Sequence, residues 1–347
     1  QALQDMGGWL NPLISDYFED YAHVLFTHFG DRVKWWCTIN EPRLYASFAY
    51  GRPLPVFPLL GPGIELPGIG DYIVCHHQLI AHAKAFRLYD QMFRNDQQGQ
   101  VGIVIDAFYY KPVSPENQQD IKAVERTLTI ELGCVLHPIY SSEGDYPPLM
   151  RERVDRNSKI EGRHRSRLPK FTFEEIQLIK GSSDFLGLNH YTTHLIAHST
   201  QGPSPSMFRD LEIIKQVDPN AEEHHPAWLT PNAEGFRAML NWIKNNYGNP
   251  KVIITENGCS DTRPIEDVYK VEYHRNYLEQ LLKAIVEDNC NVVGYTIWSL
   301  LDSYEWDCGY TEKFGLYHVD FTNPLLPRTP KKSSEFYKKL IKSRTLP

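Results

Sequence analysis

Short apolar, β-branched runs alternate with longer stretches of helical periodicity along this chain. Five of the short runs have the length and composition of buried parallel strands: residues 33–40, 101–108, 184–191, 251–256 and 292–298. Between them, apolar residues from Leu13 to Phe29 recur at near-helical spacing, and Thr172 with Glu175 forms a capping-box signature. The repeating unit is strand, helix, strand, which predicts an α/β protein.

The ends of the predicted strands favour one α/β architecture over another. Polar residues stand at these ends, at Asn40 with Glu41, at Asn189 and at Glu256. A doubly wound sheet is the alternative, but a (β/α)₈ TIM barrel collects all its strand ends on one face, where distant residues meet. Since a closed barrel needs eight strands, we expect residues 1–347 to be a single, N-terminally incomplete catalytic domain with about the last five βα units.

Two long segments lack periodicity and read as loops. Residues 42–70 are rich in proline and glycine, and residues 198–227 mix serine, proline, glycine and histidine. Each follows a predicted strand end, where the active-site loops of barrels are found. We therefore expect both loops to lie over the active-site mouth.

Composition excludes several classes of function. With 36 Lys and Arg against 43 Asp and Glu, the net charge is −7, so a nucleic-acid partner is not expected. No apolar run approaches the length of a membrane span, so no membrane association is expected. The six cysteines lie far apart without zinc-type spacing, and no metal site is predicted.

Two glutamates at strand ends carry the chemistry. Thr-Ile-Asn-Glu-Pro at residues 38–42 and Ile-Thr-Glu-Asn-Gly at residues 254–258 each end an apolar run in a carboxylate. One such Glu is better explained as a loop anchor in a salt bridge, but two on strands of one barrel favour catalysis. Glycosidic bond cleavage uses a pair of carboxylates facing one pocket. Aromatic residues, 12% of the chain, supply rings that stack on sugars, although a single Trp is more simply explained by core packing.

Together these segments resemble glycoside hydrolase family 1, the β-glucosidase family. Further matches are Leu-Gly-Leu-Asn-His-Tyr-Thr at 186–192, Trp-Ser-Leu-Leu-Asp-Ser-Tyr-Glu-Trp at 298–306 and the segment 309–316. The resemblance covers essentially the whole chain, and the Gly-Asp-Tyr-Pro loop at 144–147 is similar to animal, especially insect, members. Cys259 and Ser303 depart from the family pattern, in which an aromatic residue and Asn are more usual.

The resemblance implies a retaining β-glycosidase that works through a covalent glycosyl-enzyme and needs no cofactor. Glu41 is then the general acid/base, and Glu256 is the nucleophile, which Tyr191 helps to keep ionised. The other residues implied to bind substrate are Asn40 at the sugar 2-hydroxyl, Asn189, Trp228 beside the aglycone, Trp298 under the ring, Glu305 and Trp306 at the far hydroxyls, and Phe314.

Two alternatives remain open on sequence grounds. One is a catalytically silent sugar-binding or interaction protein on the same fold, because a fold does not determine function. The other is a myrosinase-like thioglucosidase. The expected partner is a small-molecule β-glycoside, a homodimer is left open, and the resemblance favours a secreted location.

Overall fold

The computed structural model describes residues 1–51, 60–216, 218 and 226–347. In this part of the chain the main sheet has five strands, in the order β1-β2-β4-β7-β8, and smaller sheets have the orders β3-β5-β6 and β10-β9. The strands are β1 (Trp35–Asn40), β2 (Gln100–Asp106), β3 (Tyr109–Pro112), β4 (Phe185–Asn189), β5 (Thr193–His198), β6 (Ile213–Gln216), β7 (Val252–Glu256), β8 (Val292–Tyr295), β9 (Tyr317–Val319) and β10 (Arg328–Pro330).

The helices account for most of the remaining regular structure. They are α1 (Ala2–Asp5), α2 (Ile14–Phe29), α3 (Pro42–Ala46), α4 (Gly70–Met92), α5 (Arg94–Gln97), α6 (Gln118–Glu131), α7 (Gly133–Tyr140), α8 (Pro148–Ile160), α9 (Phe173–Ile179), α10 (Met207–Leu211), α11 (Ala233–Tyr247), α12 (Val268–Val286) and α13 (Lys332–Ser343). Helical turns also occur at Gly8–Leu10, Ser47–Gly51 and Trp306–Cys308.

The five predicted strand positions are confirmed, and the pairs β1–β2 and β7–β8 run parallel, as expected of a parallel sheet. The prediction that all five are buried is wrong for two of them. Trp35 on β1 and Val293 on β8 are exposed large apolar residues, whereas β4 is buried throughout. The physical reason is their position in the sheet. Within the described residues, β1 and β8 end the strand order, and each has a strand neighbour on one side only.

The loop predictions need correction where the structure describes them. Residues 42–51 form α3 and the turn that follows, and α10 and β6 lie within 198–227. Helix α3 forms because Pro42, with no free backbone N–H, occupies its first position, where no donor is required. Residues 52–59, 217 and 219–225 of the two predicted loops lie outside the described residues, and the placement of the loops over a mouth stays a prediction.

Contacts divide the chain into two compact units, and the single-domain boundary stays a prediction. Unit 1 comprises Gln1–Asp106, Pro112–Gly187 and Ile196–Lys215. Its core includes a cluster of α2, α4 and strand residues, in which the Phe26 ring meets Trp36 and Tyr89 edge-on at centroid distances of 5.0 and 4.9 Å. This packing is the source of the burial that stabilises α2.

Unit 2 comprises Ala107–Lys111, Leu188–Leu195 and Gln216–Pro347. Helices α11 and α12 pack together, and Tyr277 on α12 lies 5.6 Å from the ring of Phe236 on α11. Tyr273 stacks on Tyr277 at 4.3 Å, and His190 lies 5.0 Å from Phe236. An aromatic core therefore lies directly behind the residues that follow β4 and β7.

Within the described residues, no helix combines enough length with enough apolar character to span a membrane.

Candidate active site

Glu256 ends β7 in unit 2, and two side chains predicted from the sequence bond its carboxyl. The Tyr191 hydroxyl donates a hydrogen bond of 2.6 Å to Glu256 Oε2. The Asn189 side chain also hydrogen-bonds Glu256, while Asn189 Oδ1 accepts a 2.6 Å bond from the Thr255 hydroxyl. The sequence prediction that Tyr191 contacts the Glu256 carboxylate is thus matched by the geometry.

Opposing effects act on the charge of Glu256. Burial raises the pKa of its carboxyl above the ordinary value of 4.5, and the hydrogen bonds from Tyr191 and Asn189 oppose this rise. The two donors favour the ionised form because they bond more strongly to a carboxylate than to a neutral acid. A partly desolvated carboxylate with two donors is held in one orientation.

Aromatic rings set the position of Tyr191. Trp228 meets it edge-on at a centroid distance of 5.9 Å, and Phe314 meets it edge-on at 6.3 Å. Phe314 is only 2% exposed and packs against Tyr191, whereas Trp228 is 43% exposed. The exposed face of Trp228 is therefore the more accessible of the two for a ligand.

Trp298 and Glu305 form a second pair in unit 2. The Trp298 indole Nε1 donates to Glu305 Oε1 at 3.1 Å. Burial, followed by the charges of Glu256 and Glu312, raises the pKa of Glu305 to about 7, against the opposing effect of the Trp298 bond. Since the charge of Glu256 acts on Glu305, the two carboxyls belong to one electrostatic cluster.

The backbone next to Glu256 approaches Trp298 closely. A Cβ atom on Gly258 would lie 1.9 Å from the Trp298 carbonyl oxygen, so a side chain at position 258 would displace that backbone. The Trp298 amide also donates to the Asn257 carbonyl at 3.0 Å. Glycine at this position thus permits the contact between the Glu256 and Trp298 segments.

Trp306 differs from the other predicted binding residues in its exposure. It begins the short helical turn Trp306–Cys308 and is 60% exposed. The backbone before the turn is held by a bond from the Glu305 amide to the Gly309 carbonyl at 2.6 Å. The ring is therefore accessible to solvent, and its predicted contact with a sugar stays a prediction.

Glu41 and Asn40 belong to unit 1, where backbone bonds determine their position. Glu41 has φ 50° and ψ 54°, a left-handed conformation that is uncommon outside glycine. Its amide donates to the Val104 carbonyl and its carbonyl accepts from the Tyr45 amide, both at 2.9 Å. Strained backbone of this kind is concentrated at functional positions, which agrees with the predicted role of Glu41.

Sequence reasoning missed the buried ion pairs that support α3. Arg43 pairs with Asp106, the last residue of β2, and its other guanidinium nitrogen lies 3.5 Å from Glu131. Lys215 reaches Glu131 at 2.7 Å. Together these charges attach the helix that follows Glu41 to the end of β2; an arginine directly after Glu-Pro was the available signal.

It also missed Asn257, the residue that follows Glu256 in the segment 254–258. Its side chain is buried and bonded to Tyr273 and Tyr295. The residues around Asn257 carry little signal for these contacts, because the partners lie on α12 and β8. Within the described residues, no group of three His, Cys, Asp or Glu side chains has the arrangement needed to hold a metal ion.

Comparison with known proteins identifies the family. The model of glycosyl hydrolase family 1 matches residues 1–346. Myrosinase 1 of Brevicoryne brassicae is 45% identical over 98% of this chain and 72% of its own length. Human cytosolic beta-glucosidase is 39% identical over 100% of this chain and 73% of its own length. Human lactase-like protein is 42% identical over 98% of this chain, which spans 60% of that relative.

Solved structures agree with the sequence comparison. An aphid myrosinase superposes with a TM-score of 0.90 at 44% identity, over 98% of this chain and 72% of that one. A rice β-glucosidase gives a TM-score of 0.89 at 36% identity, over 98% of this chain and 73% of that one. These neighbours imply the (β/α)₈ barrel class predicted from the strand ends. The chain belongs to glycosyl hydrolase family 1.

Proposed function

We propose that this protein is a retaining β-glycosidase that hydrolyses small β-glucosides, with Glu256 as nucleophile and Glu41 as general acid/base. Its membership of family 1 makes it a glycoside hydrolase acting on O-glycosyl bonds, and the predicted β-glycosidase activity is confirmed at that level. The substrate and the roles of individual residues are the parts proposed.

The observation that carries the proposal is the 2.6 Å bond from the Tyr191 hydroxyl to Glu256 Oε2. A nucleophilic carboxylate must be ionised and must keep one oxygen directed at the anomeric carbon. The bond orients the Glu256 carboxylate and stabilises its negative charge, so it meets both requirements.

The proposed reaction has two displacements. Glu256 attacks the anomeric carbon while Glu41 gives its proton to the departing glycosidic oxygen, which forms a glycosyl-enzyme ester. Glu41, now a carboxylate, then takes a proton from water as that water attacks the same carbon and releases Glu256. Each step inverts the anomeric configuration, so the sugar leaves with its original β configuration.

Sugar contacts complete the proposal. Asn40 would hold the 2-hydroxyl, Trp298 would lie beneath the ring, and Glu305 would accept bonds from the far hydroxyls. The indole of Trp298 already directs the Glu305 carboxyl, which supports a joint role. The remaining proposed contacts come from Asn189 and Phe314 near Glu256, from Trp306 beside Glu305, and from Trp228 at the aglycone.

The finer structural predictions belong to the same proposal. We assign the five strands of the main sheet to five of the eight barrel strands of family 1, supported by TM-scores of 0.84–0.90 to solved members. An insect-like subtype is supported by 45% identity to the Brevicoryne brassicae relative, against 37% for a plant β-glucosidase. A homodimer and a secreted location stay predictions.

A thioglucosidase is the second candidate, because the 45% identical relative is a myrosinase. The difference lies in the atom that leaves, since an O-linked aglycone needs proton donation more than a sulfur-linked one. Comparing kcat/KM for an aryl O-glucoside and the matching S-glucoside in the natural enzyme and in its Glu41→Gln variant decides between them. The main proposal is supported if Glu41→Gln lowers kcat/KM for the O-glucoside and leaves kcat/KM for the S-glucoside unchanged.

The decisive test is hydrolysis of para-nitrophenyl β-glucoside followed by NMR of the first sugar formed. We expect β-glucose to appear before mutarotation, and Glu256→Gln to abolish turnover. Glu266→Gln, which changes an exposed carboxylate, is the matched control and should hydrolyse normally. Absence of turnover by the natural enzyme would indicate a sugar-binding protein, and α-glucose as first product would indicate an inverting mechanism.

A further inference from the structure

Asn257 follows Glu256 and is completely buried, and its carboxamide is bonded on every side. Nδ2 donates to the His190 carbonyl at 2.7 Å and to the Tyr273 hydroxyl at 2.9 Å. Oδ1 accepts a 2.7 Å bond from the Tyr295 hydroxyl. One side chain thus joins the segment after β4 to α12 and β8.

The chemistry of the partners determines the direction of these bonds. A carbonyl only accepts, so the nitrogen of Asn257 must face His190. The single hydroxyl proton of Tyr295 goes to Oδ1, so Tyr295 must accept from His274 Nδ1, which lies 2.9 Å away. Burial, with a smaller effect of Lys270, lowers the pKa of His274 to about 3, so it is neutral and carries its proton on Nδ1.

This network reaches Glu256 through His190. The His190 amide donates to the Glu256 carbonyl at 3.0 Å, and the His190 carbonyl accepts from Asn257 at 2.7 Å. Both faces of this residue are therefore tied to the segment that carries Glu256. The next residue is Tyr191, whose hydroxyl bonds the Glu256 carboxylate at 2.6 Å.

We propose that Asn257 is a positioning residue: with Tyr295, it holds the His190–Tyr191 backbone where the Tyr191 hydroxyl reaches and stabilises the Glu256 carboxylate. The proposal rests on the role of Glu256 as nucleophile stated above. Burial of an amide whose donors and acceptor are all used makes the arrangement rigid, because any displacement leaves a buried polar group without a partner. The main-chain carbonyl of Asn257 also accepts from the Trp298 amide at 3.0 Å, so the same residue supports the Trp298–Glu305 pair.

The test uses Tyr295→Phe, which keeps the ring and removes the donor to Asn257, and Asn257→Ala, which removes all three side-chain bonds. Tyr337→Phe is the matched control, since its hydroxyl bonds the backbone carbonyl of Tyr295, at 3.0 Å, and not the Tyr295 side chain. A fluorinated glucoside with a dinitrophenol leaving group serves as probe, because it accumulates the glycosyl-enzyme and isolates the nucleophilic step. Circular dichroism and thermal unfolding show which variants fold.

We expect inactivation by the probe to slow about tenfold in Tyr295→Phe and more in Asn257→Ala, with less than a twofold change in Tyr337→Phe. The acidic limb of the kcat/KM profile should move to higher pH in the first two variants, because a weaker Tyr191 bond stabilises the Glu256 carboxylate less. A residue with a merely structural role would lower the amount of active enzyme without moving that limb.

The two proposals fail in different ways. A label found by peptide mapping on a residue other than Glu256 in the natural enzyme refutes the assignment of the nucleophile. A label on Glu256, combined with an unmoved acidic limb in whichever of the two variants folds, overturns the positioning role. The two variants differ in their risk of not folding, since Phe fills the space of Tyr295 and Ala leaves a small cavity at position 257. Failure of both to fold would show that Asn257 acts in stability instead.

Discussion

Glu41 and Glu256 are held by different kinds of interaction, although each follows an apolar run in the sequence. Backbone bonds to Val104 and Tyr45 fix the left-handed conformation of Glu41. The Glu256 carboxyl is held by its own bonds to Tyr191 and Asn189. Substitution of a residue that bonds the Glu256 carboxyl should therefore change the pKa of Glu256.

Tyr191→Phe removes the hydroxyl that bonds Glu256 and keeps the ring that packs on Trp228 and Phe314. A hydrogen bond to a charged group contributes enough that kcat/KM should fall about tenfold to a hundredfold. The acidic limb of the pH profile should move to higher pH, because the ionised form loses a donor. Steady-state kinetics across pH check this, and an unmoved limb contradicts it.

Glu305 has its pKa raised to about 7 from an ordinary value of 4.5, first by burial and then by Glu256 and Glu312. The folded protein therefore resists ionisation of this group, and it loses stability relative to the unfolded chain as pH rises from about 4.5 through 7. Glu305→Gln cannot ionise, yet its amide oxygen still accepts from Trp298. The stability of the variant, relative to that of the natural protein, should therefore be greater at pH 8 than at pH 5.

Thermal unfolding at the two pH values measures this difference in Tm between variant and natural protein. Glu266→Gln is the control, since that side chain is 74% exposed and its substitution should give the same difference at both pH values. A Tm difference for Glu305→Gln that does not change with pH would show that the charge of Glu305 carries no folding cost.

At the scale of elements, helix α9 shows a local signal that determines structure. The Thr172 hydroxyl accepts from the Glu175 amide at 3.2 Å, and the Glu175 carboxylate accepts from the Thr172 amide at 2.7 Å. Thr172→Ala should lower the free energy of unfolding by about 1 kcal/mol. Thr27→Ala, which removes an exposed hydroxyl within α2, should change it by less than about 0.5 kcal/mol. Urea unfolding compares the two, and equal effects would contradict the capping role.

Helix α2 shows what periodicity leaves undetermined. The predicted helix is confirmed as Ile14–Phe29. Of the five periodic apolar positions that predict it, Leu25 is half-buried and the other four, Leu13, Tyr17, Tyr21 and Phe29, are exposed. Its buried face is the neighbouring one, with Ala22 and Phe26. Both faces carry large apolar side chains, so the pattern gives the helix and only the neighbouring elements decide which face is buried.

Strands were predicted better than loops for a related reason. A run such as 184–191 is apolar because β4 is buried on both faces, so the local sequence carries the information. Helix α3 depends on the ion pair of Arg43 with Asp106, whose partners are far apart in the chain. Prolines and glycines at 42–70 therefore suggested a loop, because the sequence shows Arg43 next to Pro42 but does not show that its partner is Asp106.

At the scale of the whole molecule, the resemblance to family 1 identified more of the candidate site residues than any local pattern did. It identified Tyr191 and Glu256 together, and their side chains are bonded in the structure. The buried contacts of Asn257 with Tyr273 and Tyr295 followed from neither source. They depend on how α12 and β8 pack behind Glu256, which is a property of the folded unit and not of any segment.

The division of labour between Glu41 and Glu256 is the prediction that concerns the whole enzyme, and azide tests it. In Glu256→Ala no glycosyl-enzyme can form, so azide entering the space of the lost carboxylate should attack a β-glucoside directly and give the α-glycosyl azide. In Glu41→Ala a substrate with a good leaving group still forms the intermediate, which azide should then convert to the β-glycosyl azide. NMR of the azide products distinguishes the two anomers, and Glu266→Ala, altered at an exposed carboxylate, should give ordinary hydrolysis and no azide product. A β product from Glu256→Ala would mean that the two carboxylates have the opposite roles.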